Sequence, residues 1–179
     1  MSSTSTSVRR SRARVRLVSF AAALGLCLAL APAARAQSTA SSDVFAEIVT
    51  PLTIDKYKDL DFGQISVGSG GGFLEISSAG AVTTRGDVVV QGGDASPAQF
   101  EVSGEAGLSY DVTLPNRIQV TDGTGNTMGV GNFDPSNAGT GTLSASGIDD
   151  FTVGATLKVH ANQAPGVYAG SFDVTVAYQ

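Results

Sequence analysis

From about residue 44 to its end, the chain alternates apolar and polar residues in short runs separated by Gly, Asn, Asp and Pro. The clearest run closes the sequence. In SFDVTVAYQ, residues 171–179, Phe172, Val174, Val176 and Tyr178 alternate with Ser171, Asp173, Thr175 and Ala177. Period-two alternation of β-branched and aromatic residues predicts a half-buried strand. The same criterion predicts strands at 44–49, 51–57, 59–67, 72–78, 87–92, 98–104, 108–115, 117–121, 141–146, 151–161 and 168–178. No stretch sustains apolar positions at i, i+3, i+4 and i+7, so no helix is expected in this region. Many short strands between turn signals predict an all-β sandwich or barrel, and an immunoglobulin-like β-sandwich is the reading adopted. No fixed-period repeat is present, which argues against a solenoid or propeller. Residues 122–138, rich in Gly and Asn with only Met128, Val130 and Phe133 as anchors, read as a long loop.

The first 36 residues break this pattern. Arg9, Arg10, Arg12, Arg14 and Arg16 precede an apolar run at 17–30, followed by Ala34-Arg35-Ala36. A basic lead, a short apolar stretch and a small-x-small site describe a secretory signal peptide cleaved before Gln37. Fourteen apolar residues fall short of the roughly 20 that a spanning helix needs. The expected organisation is a signal peptide at 1–36, an N-terminal arm at 37–50 and one domain at 51–179, with no membrane span in the mature chain. Removing 36 of the 179 residues leaves 143, enough for one domain.

Cleavage also changes the charge. All 16 acidic residues remain against only five basic ones (Lys56, Lys58, Arg85, Arg117, Lys158), a net charge of −11. Nucleic acid and anionic membranes, which require a positive surface, are poor partners for such a chain. Cys27, the only cysteine, leaves with the signal, so the expected mature fold relies on its core and uses no disulfide.

Candidate chemistry is sparse. GSGGG at 68–72 lacks the following helix that a phosphate-binding loop requires, and reads as a hairpin turn. His160, the single histidine, falls on the polar face of its strand, opposite Phe151, Val153, Ala155, Leu157 and Val159. Asp122, Thr124 and Asn126 have the spacing of a calcium loop, but the twelfth position, where a bidentate Glu belongs, is Phe133. Asp149 and Asp150 are adjacent on a strand and point to opposite faces, so they do not flank one bond. No catalytic residues, no metal site and no cofactor are assigned.

The two ends of the mature chain carry the specific signal. Gly166 is the fourteenth residue counted back from Gln179, and Tyr178 is penultimate, closing an alternating strand. This resembles the C-terminal signature of pilus subunits assembled by the chaperone/usher pathway. LDFG at 60–63 resembles the Leu-x-Phe-Gly element of spore-coat-U-like and fimbrial major-subunit-like secreted domains. The set PLTI, DLDFG, PAQFEVSG, YDVTLP, FTVGATLKV and PGVYAGSFDVTVAY resembles a bacterial family of pilin-like domains of unknown function over nearly the whole mature chain. The chain departs from classical pilins in having no disulfide.

The resemblance implies an immunoglobulin-like sandwich of pilin type lacking one strand, completed by donor-strand exchange. A periplasmic chaperone fills the gap first, at an outer-membrane usher the arm of the next subunit replaces it, and the product is a homopolymer or a polymer of related subunits. Gly166, Phe172, Val174, Val176 and Tyr178 would form one wall of the gap. Val44, Ala46 and Ile48, which share one parity within the arm, would be the inserted side chains, with Pro51 separating arm from body; the alternative is that 44–54 is all body, leaving only QSTASSD, residues 37–43, as a short arm. The implied function is a structural subunit of a fimbria or other surface filament, secreted through the periplasm to the cell surface. The alternative is a monomeric secreted β-sandwich that binds carbohydrate or another surface, although the chain has no Trp and Tyr110 and Phe151 sit at inward parity. A hydrolase ranks last, since one histidine on a polar face supplies no nucleophile and base pair. A tip adhesin is disfavoured because the mature chain has room for a single domain.

Overall fold

The computed structural model describes residues 37–179, and the expected signal peptide with Ala34 and Ala36 lies outside them. Residues 46–179 belong to one compact unit. Residues 37–45, from Gln37 onward, carry no helix or strand and are exposed throughout. The strand expected at 44–49 is absent: its alternation provides an apolar edge, but no strand among the described residues pairs with it, and an unpaired segment has no ladder to hold it extended.

Ten strands build the body: β1 Thr53–Lys58, β2 Gln64–Ile76, β3 Val82–Gly92, β4 Ala98–Ser103, β5 Ser109–Thr113, β6 Arg117–Thr121, β7 Thr127–Pro135, β8 Thr140–Thr142, β9 Ile148–Val159 and β10 Thr175–Tyr178. No helix occurs among the described residues. All pairings are antiparallel. One sheet runs β1-β4-β9-β2-β3, with β7 also on β9 and β6 on β7; the other runs β10-β5-β8. The protein is an all-β sandwich.

β9 organises the first sheet because it alternates most regularly. Phe151, Val153, Leu157 and Val159 are buried while Lys158 is exposed. Its first half pairs with β4 (Phe100 opposite Phe151) and its second half with β2 (Leu74 opposite Leu157). Leu157 also pairs with Val130 of β7, and Val153 with both Ala98 and Pro135. β7 therefore lies along one edge of β9, and β4 and β2 follow one another along the other. Gly154 marks the handover, where a Cβ would collide with the Ile76 carbonyl.

Two apolar clusters fill the interior. The first joins Leu74, Val88, Met128, Val130 and Leu157 and lies where β6 and β7 fold over β2 and β9. The second joins Phe100, Val102, Tyr110, Leu143, Phe151 and Val153, drawn from both sheets, with the Phe100 and Phe151 rings stacked at 5.4 Å. Tyr110 is fully buried and its hydroxyl donates to Asp149 at 2.8 Å, which together with burial raises its pKa.

Two sequence expectations are corrected. GSGGG is no hairpin turn. β2 runs through it, and Gly68–Gly71 bulge outward between the pairs Val67/Val88 and Gly72/Gly86. The Asp87 carboxylate holds the bulge by accepting from the Gly70 amide at 2.8 Å. The loop expected at 122–138 contains β7, because Met128 and Val130 alternate inward and Gly129 and Gly131 occupy the positions between them.

Candidate functional site

An open cleft lies between the continuation of β1 and the stretch that leads into β10. β1 ends the first sheet and β10 ends the second. β1 continues beyond Lys58 in extended form, since Asp61 exchanges two backbone hydrogen bonds with Ser96 at 3.0 and 2.8 Å. Antiparallel alternation then turns the backbone amides and carbonyls of Leu60 and Phe62 away from that partner. The Asp61 side chain accepts from the Gly63 amide and fixes the turn into β2.

On the opposite rim, Gln179 donates its amide to the Ser109 carbonyl at 3.2 Å. Odd-numbered positions of β10 thus face β5, and the backbone groups of Val174, Val176 and Tyr178 face outward. Among the described residues no strand pairs with that edge. The stretch before it, 166–172, is held by exchange between Ala169 and Thr121, 2.9 Å in each direction.

Between the rims lies a cleft of about 710 Å³. Leu60, Phe62 and Ile65 form one side, 166–172 the other, and Phe100, Met128, Val130 and Leu157 the floor. An apolar trough rimmed on one side by the unpaired backbone of Leu60 and Phe62 has the chemistry to accept an extended peptide by β-strand addition.

The expected site residues divide between the cleft and the core. Gly166 and Phe172 line the cleft. The Phe172 ring packs against Phe133 at 4.9 Å and Phe100 at 6.3 Å, so it closes one end. Val174, Val176 and Tyr178 are half-buried against the second core cluster, and contribute their backbone edge. A Cβ at Gly166 would meet Asp122 at 3.4 Å, an ordinary contact, so the fold itself does not require glycine there. In the arm, Val44 is 91% and Ile48 98% exposed, and Ala46 is exposed too.

Tyr178 has a second role that the sequence did not reveal. Its hydroxyl accepts from the Glu105 amide at 2.7 Å and donates to the Thr50 carbonyl at 2.8 Å. The Glu105 carboxylate accepts from the Thr50 amide and hydroxyl, at 3.0 and 2.7 Å, and these bonds lower its pKa. Thr50 is thereby fixed beside the end of β10, and the arm leaves the body from that point. The opposite rim, Leu60, Phe62 and Ile65, also escaped prediction as a site; LDFG was its only sequence signal.

The other candidate chemistry is accounted for locally. Asp122 accepts from the Thr124 amide and hydroxyl and from the Asn126 amide and side chain, which drives its pKa down to about 2. Its carboxylate oxygens are thus engaged by its own loop. Among the described residues no three His, Cys, Asp or Glu come together as metal ligands. His160 is exposed just beyond β9. No helix among the described residues is long and apolar enough to cross a membrane.

The model of the family described as "Domain of unknown function (DUF4402)" matches residues 52–178, from just before β1 to the end of β10. No curated protein and no solved structure matches. The match covers both sheets and both rims of the cleft, and the chain belongs to the DUF4402 family.

Proposed function

We propose that the protein is a structural subunit of an extracellular filament of the fimbrial kind, in which the arm of one copy fills the cleft of the next. The observation that carries this reading is the cleft itself: an apolar floor beside the unpaired backbone of Leu60 and Phe62, with residues 166–172 opposite leading into the open edge of β10. The arm has matching chemistry, with Val44, Ala46 and Ile48 on one parity and large side chains exposed. Burying Val44 and Ile48 contributes about 1.5 to 3 kcal/mol each. Ladder bonds to the exposed backbone edge add about 1 kcal/mol net apiece. Gly166, which the fold does not need, leaves space on the rim for a large incoming side chain.

The likeness to pilus subunits supports the same reading, as does the export signal expected at 1–36. Within it the chain is secreted, passes a periplasmic chaperone and an outer-membrane usher, and reaches the cell surface. The test is electrophoretic. Exported protein run on a denaturing gel without heating gives a ladder of multimers that collapses to one band on boiling. A single band in both lanes, together with a monomer at every concentration in solution, removes the filament reading and leaves the monomeric binding module.

A further inference from the structure

The cleft is not the only exposed edge. β3 ends the first sheet opposite β1, and among the described residues it pairs only with β2. Eleven residues long, it exposes Val82 (41%), Val89 (55%) and Val90 (36%). A shallow hollow lined by Val82, Val88, Val90 and Ala95 runs beside it. Exposed edges of this length are ordinarily protected, because they recruit other strands.

We propose that β3 is a lateral contact through which two copies of the chain pair edge to edge, antiparallel, about a two-fold axis at Gly86. The sequence VTTRGDVVV, residues 82–90, is self-complementary in that register. Arg85 falls opposite Asp87 of the second copy and Asp87 opposite its Arg85, giving two ion pairs. Val82 falls opposite Val90, Thr83 opposite Val89 and Thr84 opposite Val88. Faces match as well as charges. Thr83, Arg85, Asp87 and Val89 share the outer face, and Val82, Thr84, Val88 and Val90 share the core-side face on which Val88 is buried.

Neighbouring registers fail on charge: centring on Arg85 or Asp87 sets like charges opposite each other, and parallel pairing does the same for both. Arg85 forms no ion pair within its own chain among the described residues, so it is available. Gly86 has φ +77° beside the β2 bulge. A two-fold axis through it places the same bend in both strands and no side chain at the centre, the isologous geometry of a symmetric dimer. This contact is independent of the cleft.

The test is sedimentation equilibrium of the exported chain from micromolar to millimolar concentration, on an Ile48→Asp background that silences arm insertion. The parent shows a salt-sensitive dimer. Arg85→Asp and Asp87→Arg each set like charges opposite each other at both pairs and weaken dimerisation about tenfold. An equal mixture of the two variants regains it, because one strand then carries two acids and the other two arginines. The exchange variant Arg85→Asp/Asp87→Arg dimerises more tightly than either single variant. Val82→Lys, remote from the Asp87–Gly70 bond, weakens the dimer too. A parent that stays monomeric overturns the proposal, and so does a mixture that dimerises no better than either variant alone.

Discussion

Ile48→Ala separates the chain's own stability from its assembly. Ile48 is 98% exposed, so its truncation removes almost nothing from the fold and shifts the urea unfolding free energy by less than about 0.5 kcal/mol. Inserted in the cleft of another copy, the same side chain is buried, and losing three of its carbons at about 0.8 kcal/mol each costs about 2 to 3 kcal/mol. That is about 30- to 150-fold in dissociation constant. The assay pairs urea denaturation of the exported variant with fluorescence anisotropy of labelled peptides spanning residues 37–50, with Ile or Ala at 48, titrated with chain. Equal binding of the two peptides refutes the insertion argument. A drop of more than 1 kcal/mol in the variant's own stability, set against the limit above, refutes it from the other side, since Ile48 would then be packed in its own fold.

Three further outcomes are expected. Gly166→Leu leaves the unfolding midpoint nearly unchanged, because a Cβ meets Asp122 at 3.4 Å, but obstructs the rim and abolishes arm-peptide binding in the same titration. Tyr178→Phe removes two bonds, from the Glu105 amide and to the Thr50 carbonyl, and lowers stability by about 1 to 2 kcal/mol in chemical denaturation. Asp122 has a folded pKa of about 2 against an ordinary value of about 3.9. Its depressed pKa means that its contribution is complete above the ordinary value and lost as pH falls through the folded one. Protection of the Thr124 and Asn126 amides, the intrinsic exchange rate divided by the observed one, therefore falls between about pH 4 and pH 2, and Asp122→Asn abolishes that acid step.

The sequence made β4, β6 and β9 legible because burial in each follows the pleat: Ala98, Phe100 and Val102 in one, Phe151 to Val159 in the last. β7 was not legible, since two inward residues amid glycines give too little alternation to register. The continuity of β2 was hidden for a different reason. Four residues leave the ladder at Gly68–Gly71, and what holds them is Asp87, 17 positions from Gly70. Local turn chemistry reads the glycines and cannot read that bond. Residues 44–49 erred in the opposite direction, with a strand's alternation and no strand to pair with.

The C-terminal alternation predicted a strand over 168–178, of which Thr175–Tyr178 pairs with β5 while residues 166–172 run along the cleft. The other rim depends on how Asp61 pairs with Ser96, a tertiary fact. The bridge from Tyr178 to Thr50 spans 128 positions and leaves no local trace. Phe172 was placed on a wall by the resemblance, and its ring packs against Phe100 and Phe133 beside the cleft it lines.

Hydrogen exchange along β10, followed by NMR with and without arm peptide 37–50, tests the open edge most directly. In the lone chain the amides of Thr175, Ala177 and Gln179, turned toward β5, exchange slowly, and those of Val174, Val176 and Tyr178 exchange fast. Added arm peptide slows the even-numbered set and leaves the odd-numbered set as it was. Even-numbered amides already protected in the lone chain, or unmoved by saturating peptide, contradict the account.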